Sequence, residues 1–274
     1  MAKSGLGYPF VCHVGDFFGE QAFYNREAYR LELEMCASWL ATEEAPVVVD
    51  VGANVGFWST QLAQMIAGVR PFIYALEPVP HTYCRLVESI ETLGLTSRIA
   101  PLAAAILNGP RTVRLSHNPK QTGFAQVSET KINLRAGDRL VQSLALSLDE
   151  LVDSLGIAPS LVKVDVEGSE VAVLQGGHDL LARPNPPALM LEFNPLTLRE
   201  TGALRSTFES LLSRYAIYYV DDFEGQKKEF GAPVNTLDDL DTVCNLLAVP
   251  DTEVAKIRFQ QAVRATKSRL AISR

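Results

Sequence analysis

Val47-Val48-Val49-Asp50-Val51-Gly52-Ala53-Asn54-Val55-Gly56 is the stretch from which the fold can be read. A run of β-branched residues, Val47 to Val49, reads as a strand buried on both faces of a parallel sheet. Asp50 closes that strand. Gly52 and Gly56 let the backbone turn tightly and approach a ligand closely. Phe57 to Ile66 follows with apolar residues at helical spacing. A strand, a glycine turn and a helix is how an α/β sheet builds a ligand crevice at its carboxyl edge.

Two ligand chemistries compete for this turn. A dinucleotide fingerprint wants Gly-x-Gly-x-x-Gly. Here Asn54 stands at its second glycine and Phe57 at its third. A nicotinamide-dependent Rossmann oxidoreductase is therefore the weaker fit. The glycines follow Asp-x-Gly-x-x-x-Gly, which resembles the first motif of S-adenosylmethionine-dependent methyltransferases. A carboxylate at the strand end suits an ammonium and a sulfonium, whereas beside a pyrophosphate it is repulsive.

The 274 residues suffice for one large α/β unit with additions. The net charge of −7 argues against nucleic acid as the main partner. No run reaches the roughly 18 apolar residues of a membrane helix. Gly5, Gly7 and Pro9 interrupt the place where a signal peptide has its apolar segment, so the expected location is cytoplasmic. Cys12, Cys36, Cys84 and Cys244 are scattered without a C-x-x-C pair, which predicts reduced thiols.

The organisation expected is a lead-in and covering helix over 1–45, a central α/β unit over 46–250, and a C-terminal amphipathic helix over 251–274. Glu20 to Ala41 reads as one helix, with Leu31, Met35 and Trp39 four apart. Tyr24 and Tyr29 on it are expected to pack into the core. Pro71 to Leu76 is the second strand and ends at Glu77, placed to accept hydrogen bonds from ribose hydroxyls roughly 20 to 25 residues past the turn. Pro80 to Leu93 reads as a helix. Ile99 to Ile106 is the third strand, and the small residues Ala103 to Ala105 at its end either leave room for a flat adenine ring or let a helix pack closely. Thr112 to Leu115 is a short strand.

Residues 116–147 break the alternation as a polar insertion on the substrate side of the sheet edge. His117 in it reads as a solvated loop histidine, and Arg135 and Arg139 as surface charges. Leu148 to Leu155 is a helix, Leu161 to Val166 the fourth strand, and Ser169 to Leu174 a helix. Ala188 to Phe193 is the fifth strand and Leu196 to Ser213 a helix. Tyr215 to Val220 and Thr242 to Val249 form a final antiparallel hairpin. Val254 to Ile272 carries Lys256, Arg258, Arg264, Lys267 and Arg269, read as a solvated face. A homodimer through this helix stays open. Asn185-Pro186-Pro187 resembles the Asn-Pro-Pro-aromatic motif of nucleic-acid amino-methyltransferases, but Ala188 is not aromatic and begins a strand.

Taken together, the chain resembles the FkbM family of methyltransferases. Val48 to Gly56 carries the resemblance first, then Tyr74-Ala75-Leu76-Glu77-Pro78. The most distinctive part is Leu148-Asp149-Glu150-Leu151 with Val162-Lys163-Val164-Asp165-Val166-Glu167-Gly168-Ser169-Glu170 and Leu174-Gln175-Gly176-Gly177. Glu192-Phe193-Asn194-Pro195 fits the end of the fifth strand. The resemblance implies a Rossmann-like class I methyltransferase fold: a seven-stranded, mostly parallel sheet with an antiparallel last strand and helices on both faces. It implies S-adenosylmethionine as cofactor and a small hydroxylated acceptor, a metabolite, sugar or natural product, as substrate. Asp50, Gly52, Asn54 and Gly56 would line the methionine part, Glu77 would hold the ribose, and Ala105 would border the adenine.

Methyl transfer needs alignment of nucleophile, methyl and sulfur, and an alcohol must also lose a proton. Lys163, Asp165 and Glu167 alternate, so regular strand geometry puts them on one face. Asp165 is expected as base or polar positioner, with Glu167 second. The competing expectation is a structural Lys163–Asp165 pair with Glu167-Gly168 merely capping a helix. The reading requires no metal. A metal variant would use Asp165, Glu192 and Asn194, oxygen ligands suited to Mg²⁺. A non-catalytic protein that keeps the cofactor fold is the remaining alternative.

Overall fold

The chain opens with a short antiparallel pair, β1 (Ala2–Lys3) and β2 (Pro9–Phe10), followed by helices α1 (Phe17–Tyr24) and α2 (Arg30–Leu40). The computed structural model describes residues 1–25, 29–66, 68, 71–127, 137–201, 204–222 and 228–272. The single helix expected over Glu20 to Ala41 is two. Tyr29 takes a left-handed conformation (φ 58°) at the start of α2, which stops α2 from running back into α1. Tyr24 is exposed and does not pack into the core.

The crevice-forming unit follows as β3 (Val47–Val51), α3 (Phe57–Met65), β4 (Phe72–Leu76), α4 (Pro80–Thr92) and β5 (Ile99–Leu102). Pro80 occupies the first turn of α4, where its missing N–H has no partner to lose. The third strand ends at Leu102, earlier than expected. The chain leaves the sheet there and builds a second one from β6 (Ala105–Leu107), β7 (Arg111–Asn118), β8 (Gln121–Val127) and β9 (Arg139–Ser147), in the order β6-β9-β7-β8. The expected polar insertion is therefore largely pleated, with its own small core of Ala105, Leu107, Val113, Leu115 and Ala145. His117 lies on β7 opposite Arg139 and is only 3% exposed, so it is not a solvated loop residue. Burial lowers its pKa. Arg139 is exposed as expected, and Arg135 falls outside the described residues.

The chain then returns through α5 (Leu148–Leu155), β10 (Leu161–Val164), α6 (Glu170–Gly176), α7 (His178–Ala182) and β11 (Ala188–Phe193). Ser147 and Glu150 form a reciprocal capping box on α5, and Gly156 ends it in a left-handed turn. Leu196 to Ser213 is two helices, α8 (Pro195–Thr201) and α9 (Arg205–Leu211). The hairpin β12 (Tyr215–Asp222) and β13 (Cys244–Pro250) precedes α10 (Glu253–Ile272).

Among the described residues the main sheet has seven strands in the order β12-β13-β11-β10-β3-β4-β5. Neighbours from β11 to β5 pair in parallel, and only β13 runs antiparallel to both of its neighbours. This is the Rossmann-like class I arrangement that the resemblance implies. From β3 the chain steps outward to β4 and β5, then crosses back to β10 on the other side of β3. That reversal leaves a crevice at the carboxyl ends of β3 and β10.

Both faces of the sheet are covered. Val48, Leu161 and Met190 face one core with α2, α3 and α10, while Val49, Val162 and Leu191 face the other with α5, α6 and α9. Period-two alternation with both faces buried explains the unbroken apolar runs in the sequence. On α10 the charged face is partly used. Arg258 lies 4.0 Å over the Trp39 ring and binds Glu43, and Arg269 pairs with Glu34 at 2.9 Å. Tyr218 stacks on Phe259 at 3.7 Å. The cysteines are free, as expected. No helix among the described residues is long and apolar enough to cross a membrane.

Gly176 is where α6 touches the second sheet. A Cβ there would lie 2.0 Å from the Leu107 carbonyl oxygen. Gly176→Ala is expected to cost about 3 kcal/mol in urea-unfolding stability, since backbone on both sides must shift. A loss below about 1 kcal/mol would mean that this contact relaxes freely.

Candidate active site

The crevice opens into a cavity of about 480 Å³ over the carboxyl ends of β3, β4, β10 and β11. Its first wall is the glycine turn. Gly52 (φ 87°), Asn54 (φ 51°) and Gly56 (φ 83°) are all left-handed. The Gly52 and Ala53 N–H groups both donate to the Leu76 carbonyl, at 3.1 and 2.9 Å. A Cβ on Gly52 would sit 1.9 Å from the Asp165 carbonyl oxygen. Glycine is thus required for the turn to lie against the end of β10.

Glu77 lines the cavity at the end of β4. Its two oxygens accept from the Asn54 and Val79 N–H groups, at 3.1 and 2.9 Å. Burial pushes its pKa up to about 7 against the pull of those two donors. Gly52, Asn54 and Ala105 share the cavity wall with it, Ala105 from β6 rather than β5. Asp50 and Gly56 do not reach the wall. Asp50 is fully buried below it, accepting from Ser59 Oγ at 2.6 Å with Lys163 Nζ at 3.7 Å.

Lys163 Nζ also donates to Asp165 Oδ2 at 2.9 Å. Burial opposes its charge, yet Asp165, Asp50 and Glu32 hold the ammonium above its ordinary pKa. Asp165 and Glu167 lie past the end of β10, and Glu167 is left-handed (φ 50°). They do not continue a regular strand, but they still converge. Carboxylate oxygens of Asp165, Glu167 and Glu192 lie within 4.8 Å of one another. Burial and the neighbouring Asp165 push Glu167 up to about 8 and raise Glu192 as well. Glu192 Oε2 is buried without a hydrogen-bond partner among the described residues.

Asn194 borders the cavity, but its Oδ1 accepts from the Leu196 and Thr197 N–H groups, at 3.0 and 3.3 Å, and so caps α8. The oxygen set Asp165, Glu192 and Asn194 is therefore not assembled for a cation. Glu167 takes the third place in the cluster.

The roof comes from far along the chain. Phe17 and Gln21 of α1 and Thr122, Gly123 and Ala125 of β8 line the cavity together, and the Phe17 N–H donates to the Lys120 carbonyl beside β8 at 2.8 Å. Asp16 clamps the two. It is fully buried, accepts from Thr122 N and Oγ1 at 3.2 and 2.9 Å, and pairs with Arg85 at 3.5 Å. Sequence reasoning missed Asp16, Trp58 and the pinning role of Glu170. Buried Glu170 accepts from Gly168 N at 3.0 Å and shapes the loop that carries Glu167. Only Glu170 had a sequence signal, as part of the Glu167-Gly168-Ser169-Glu170 run. Tyr29 lines the cavity and packs on Phe57 at 5.9 Å, combining ligand wall and core.

A family model described as the methyltransferase FkbM domain matches residues 50–215, more than half of the chain. The chain belongs to the FkbM methyltransferase family. The match takes in the glycine turn, Glu77, the carboxyl cluster and the roof hairpin. Hexuronic acid methyltransferase AglP of Haloferax volcanii is 29% identical over 176 residues, 64% of this chain and 63% of that protein. A crystal structure of methyltransferase FkbM from Methylobacillus flagellatus KT aligns at 17% identity and TM-score 0.47, over 75% of this chain and 44% of that one. An O-methyltransferase from Thermotoga maritima aligns at 12% identity and TM-score 0.44, over 79% and 63%. The chain thus spans less than two thirds of these relatives.

Glu32 of α2 lies under the same floor, accepting from Asn245 Nδ2 at 3.2 Å and titrating near 8 against an ordinary 4.5 because of burial. Folding favours its neutral form. Its stabilising contribution is therefore full below about pH 4.5 and is lost as pH rises through about 8. Glu32→Gln is expected to remove on the order of 3 kcal/mol of that decline. Urea unfolding of both proteins at pH 5 and pH 8.5 measures it; parallel slopes would assign the decline to other groups.

Proposed function

We propose that the chain transfers a methyl group from S-adenosylmethionine to a hydroxyl of a small sugar-like acceptor, with Glu167 and Glu192 handling the acceptor's proton. The observation that carries this reading is the convergence of Asp165, Glu167 and Glu192 beside the glycine turn. The cavity residues suit the cofactor. Carboxyl groups outnumber the lone wall ammonium, Lys163, among the described residues, which favours a sulfonium and an ammonium over a pyrophosphate. Glu77 is fixed by two backbone donors with its carboxylate on the wall, as ribose hydroxyls require. Bound there, S-adenosylmethionine supplies a methyl group already activated by its sulfonium.

The residues then divide the work. Lys163 neutralises Asp165 and keeps that carboxylate oriented. Asp165 in turn raises the proton affinity of Glu167. Glu167 and Glu192 lie too close for both to ionise freely, and Glu167, once ionised, takes up the acceptor's proton. As the acceptor oxygen took the methyl group and S-adenosylhomocysteine was left behind, the acceptor's proton would pass to the Glu167 carboxylate. A hydroxyl must lose a proton and so makes use of a carboxylate base, whereas an already ionised carboxylate nucleophile needs none. The relative named for hexuronic acid supports a sugar-type acceptor. Family membership supports methyl transfer over the nicotinamide reading.

Calorimetric titration with S-adenosylhomocysteine is expected to show binding, with NADH as the control. With an acceptor found by mass shift, Glu167→Gln and Glu192→Gln should each lower kcat roughly 10²- to 10⁴-fold while S-adenosylhomocysteine still binds. The base acts deprotonated, so the wild-type rate should rise with pH and level off above about 8. Full activity after exhaustive chelation is expected. Loss on chelation, restored by a divalent ion, would give the carboxyl cluster to a metal instead.

A further inference from the structure

A second cavity, of about 540 Å³, adjoins the first, and Phe17 lines both. It is built where the start of α1 meets the β7–β8 turn. The Phe17 N–H donates to the Lys120 carbonyl at 2.8 Å. Asn118 organises the other side. Its Oδ1 accepts from Lys120 N–H at 3.0 Å, and its Nδ2 donates to Asp138 Oδ1 at 3.5 Å. A Cβ on Gly137 would lie 3.0 Å from that same Nδ2. The turn that carries Lys120 is thereby held against the start of β9, which carries Arg139, and both residues line the cavity. Both are exposed, and neither has an ion pair or side-chain hydrogen bond among the described residues. Glu20 is the one carboxylate among the described residues of this wall, and it already accepts from the Gly15 N–H at 3.1 Å. The first cavity has the opposite character. Its Lys163 is committed to Asp165 and Asp50, and Glu77, Glu167 and Glu192 add further carboxyls.

An anionic group is repelled by the acidic cavity and attracted by the basic one. An arginine fork and a lysine point charge on one wall suit the oxygens of a carboxylate or phosphate. We propose that the second cavity is a subsite for an anionic group of the acceptor, held by Lys120 and Arg139, while the hydroxyl to be methylated lies beyond Phe17 at the carboxyl cluster. The acceptor is then an acidic saccharide rather than a neutral one. This rests on the reading of the first cavity as a methyl-transfer site and adds to it the class of sugar that the site takes.

Calorimetry on protein saturated with S-adenosylhomocysteine compares three probes of similar ring and different charge: glucose, glucuronate and glucose 6-phosphate. At least one anionic sugar should bind about 10-fold or more tightly than glucose, the worth of a charge-assisted contact. That advantage should shrink as salt is raised, because both cations are exposed and screened. Lys120→Gln combined with Arg139→Gln should bring the anionic sugar down to the level of glucose, with S-adenosylhomocysteine affinity kept as the check on folding. Preference for glucuronate assigns the subsite to a carboxylate, preference for glucose 6-phosphate to a phosphate, and an equal preference for both to charge alone. Equal binding of all three sugars, binding of none, or an anionic preference that survives the double variant overturns the proposal. Wild-type protein that fails to bind S-adenosylhomocysteine would overturn the methyl-transfer reading instead, and the same sugar comparison on the ligand-free protein would still decide whether the second cavity takes an anion.

Discussion

The buried ammonium of Lys163 is the constraint on which the rest of the site depends. Lys163 and Asp50 are register partners on adjacent parallel strands, and Asp165 follows at the end of the same strand as Lys163. Ser59 reaches Asp50 from the helix beyond the glycine turn. One ammonium therefore ties two strands, one helix and the loop after β10 together. Removing either partner of such a buried pair strands a charge, at a cost of roughly 3–5 kcal/mol. The group holds the floor in place, and among the described residues no ion pair is formed by the upper carboxyls, Glu167 and Glu192.

Backbone geometry transmits that arrangement to the cavity. Gly52 lets the turn pass so close to the Asp165 carbonyl that no side chain fits between them. Glu167 is left-handed, and Glu170 holds the loop around it through Gly168 N–H. The carboxyl cluster is thus built from a turn that departs from strand geometry. The roof is held separately. Asp16 joins the first helix to the β7–β8 hairpin, so this part of the cavity is enclosed by segments about 100 residues apart in sequence.

Much of the fold was legible because the main strands are buried on both faces and read as unbroken apolar runs. Leu148–Leu155 and Ala188–Phe193 were read with the bounds the structure shows, the first because a capping residue and a glycine mark its ends. The split of Glu20 to Ala41 was not legible, since helical spacing continues across the break at Tyr29. Neither was the second sheet. Exposed Leu140 and Leu144 on β9 blur its inside–outside pattern, and the burial of His117 depends on β9, more than 20 residues away. In the site, Gly52, Asn54, Glu77, Lys163, Asp165 and Glu167 stood out because their roles follow from position relative to a strand end. Asn194 was read as a free oxygen ligand, but its capping of α8 engages that oxygen.

By itself the sequence determined the order of the parallel strands of the main sheet, the glycine turn with its left-handed demands, and the family. These follow from short-range rules: which residues tolerate a backbone conformation, and which alternate between two buried faces. Only the tertiary structure decided that Asp50 lies beneath the crevice rather than on its wall. It also decided that Glu192 joins Glu167 and that Asp16 closes the roof. Each of these depends on which atoms from distant segments meet, and on how much water they exclude. Local pattern carries no record of either.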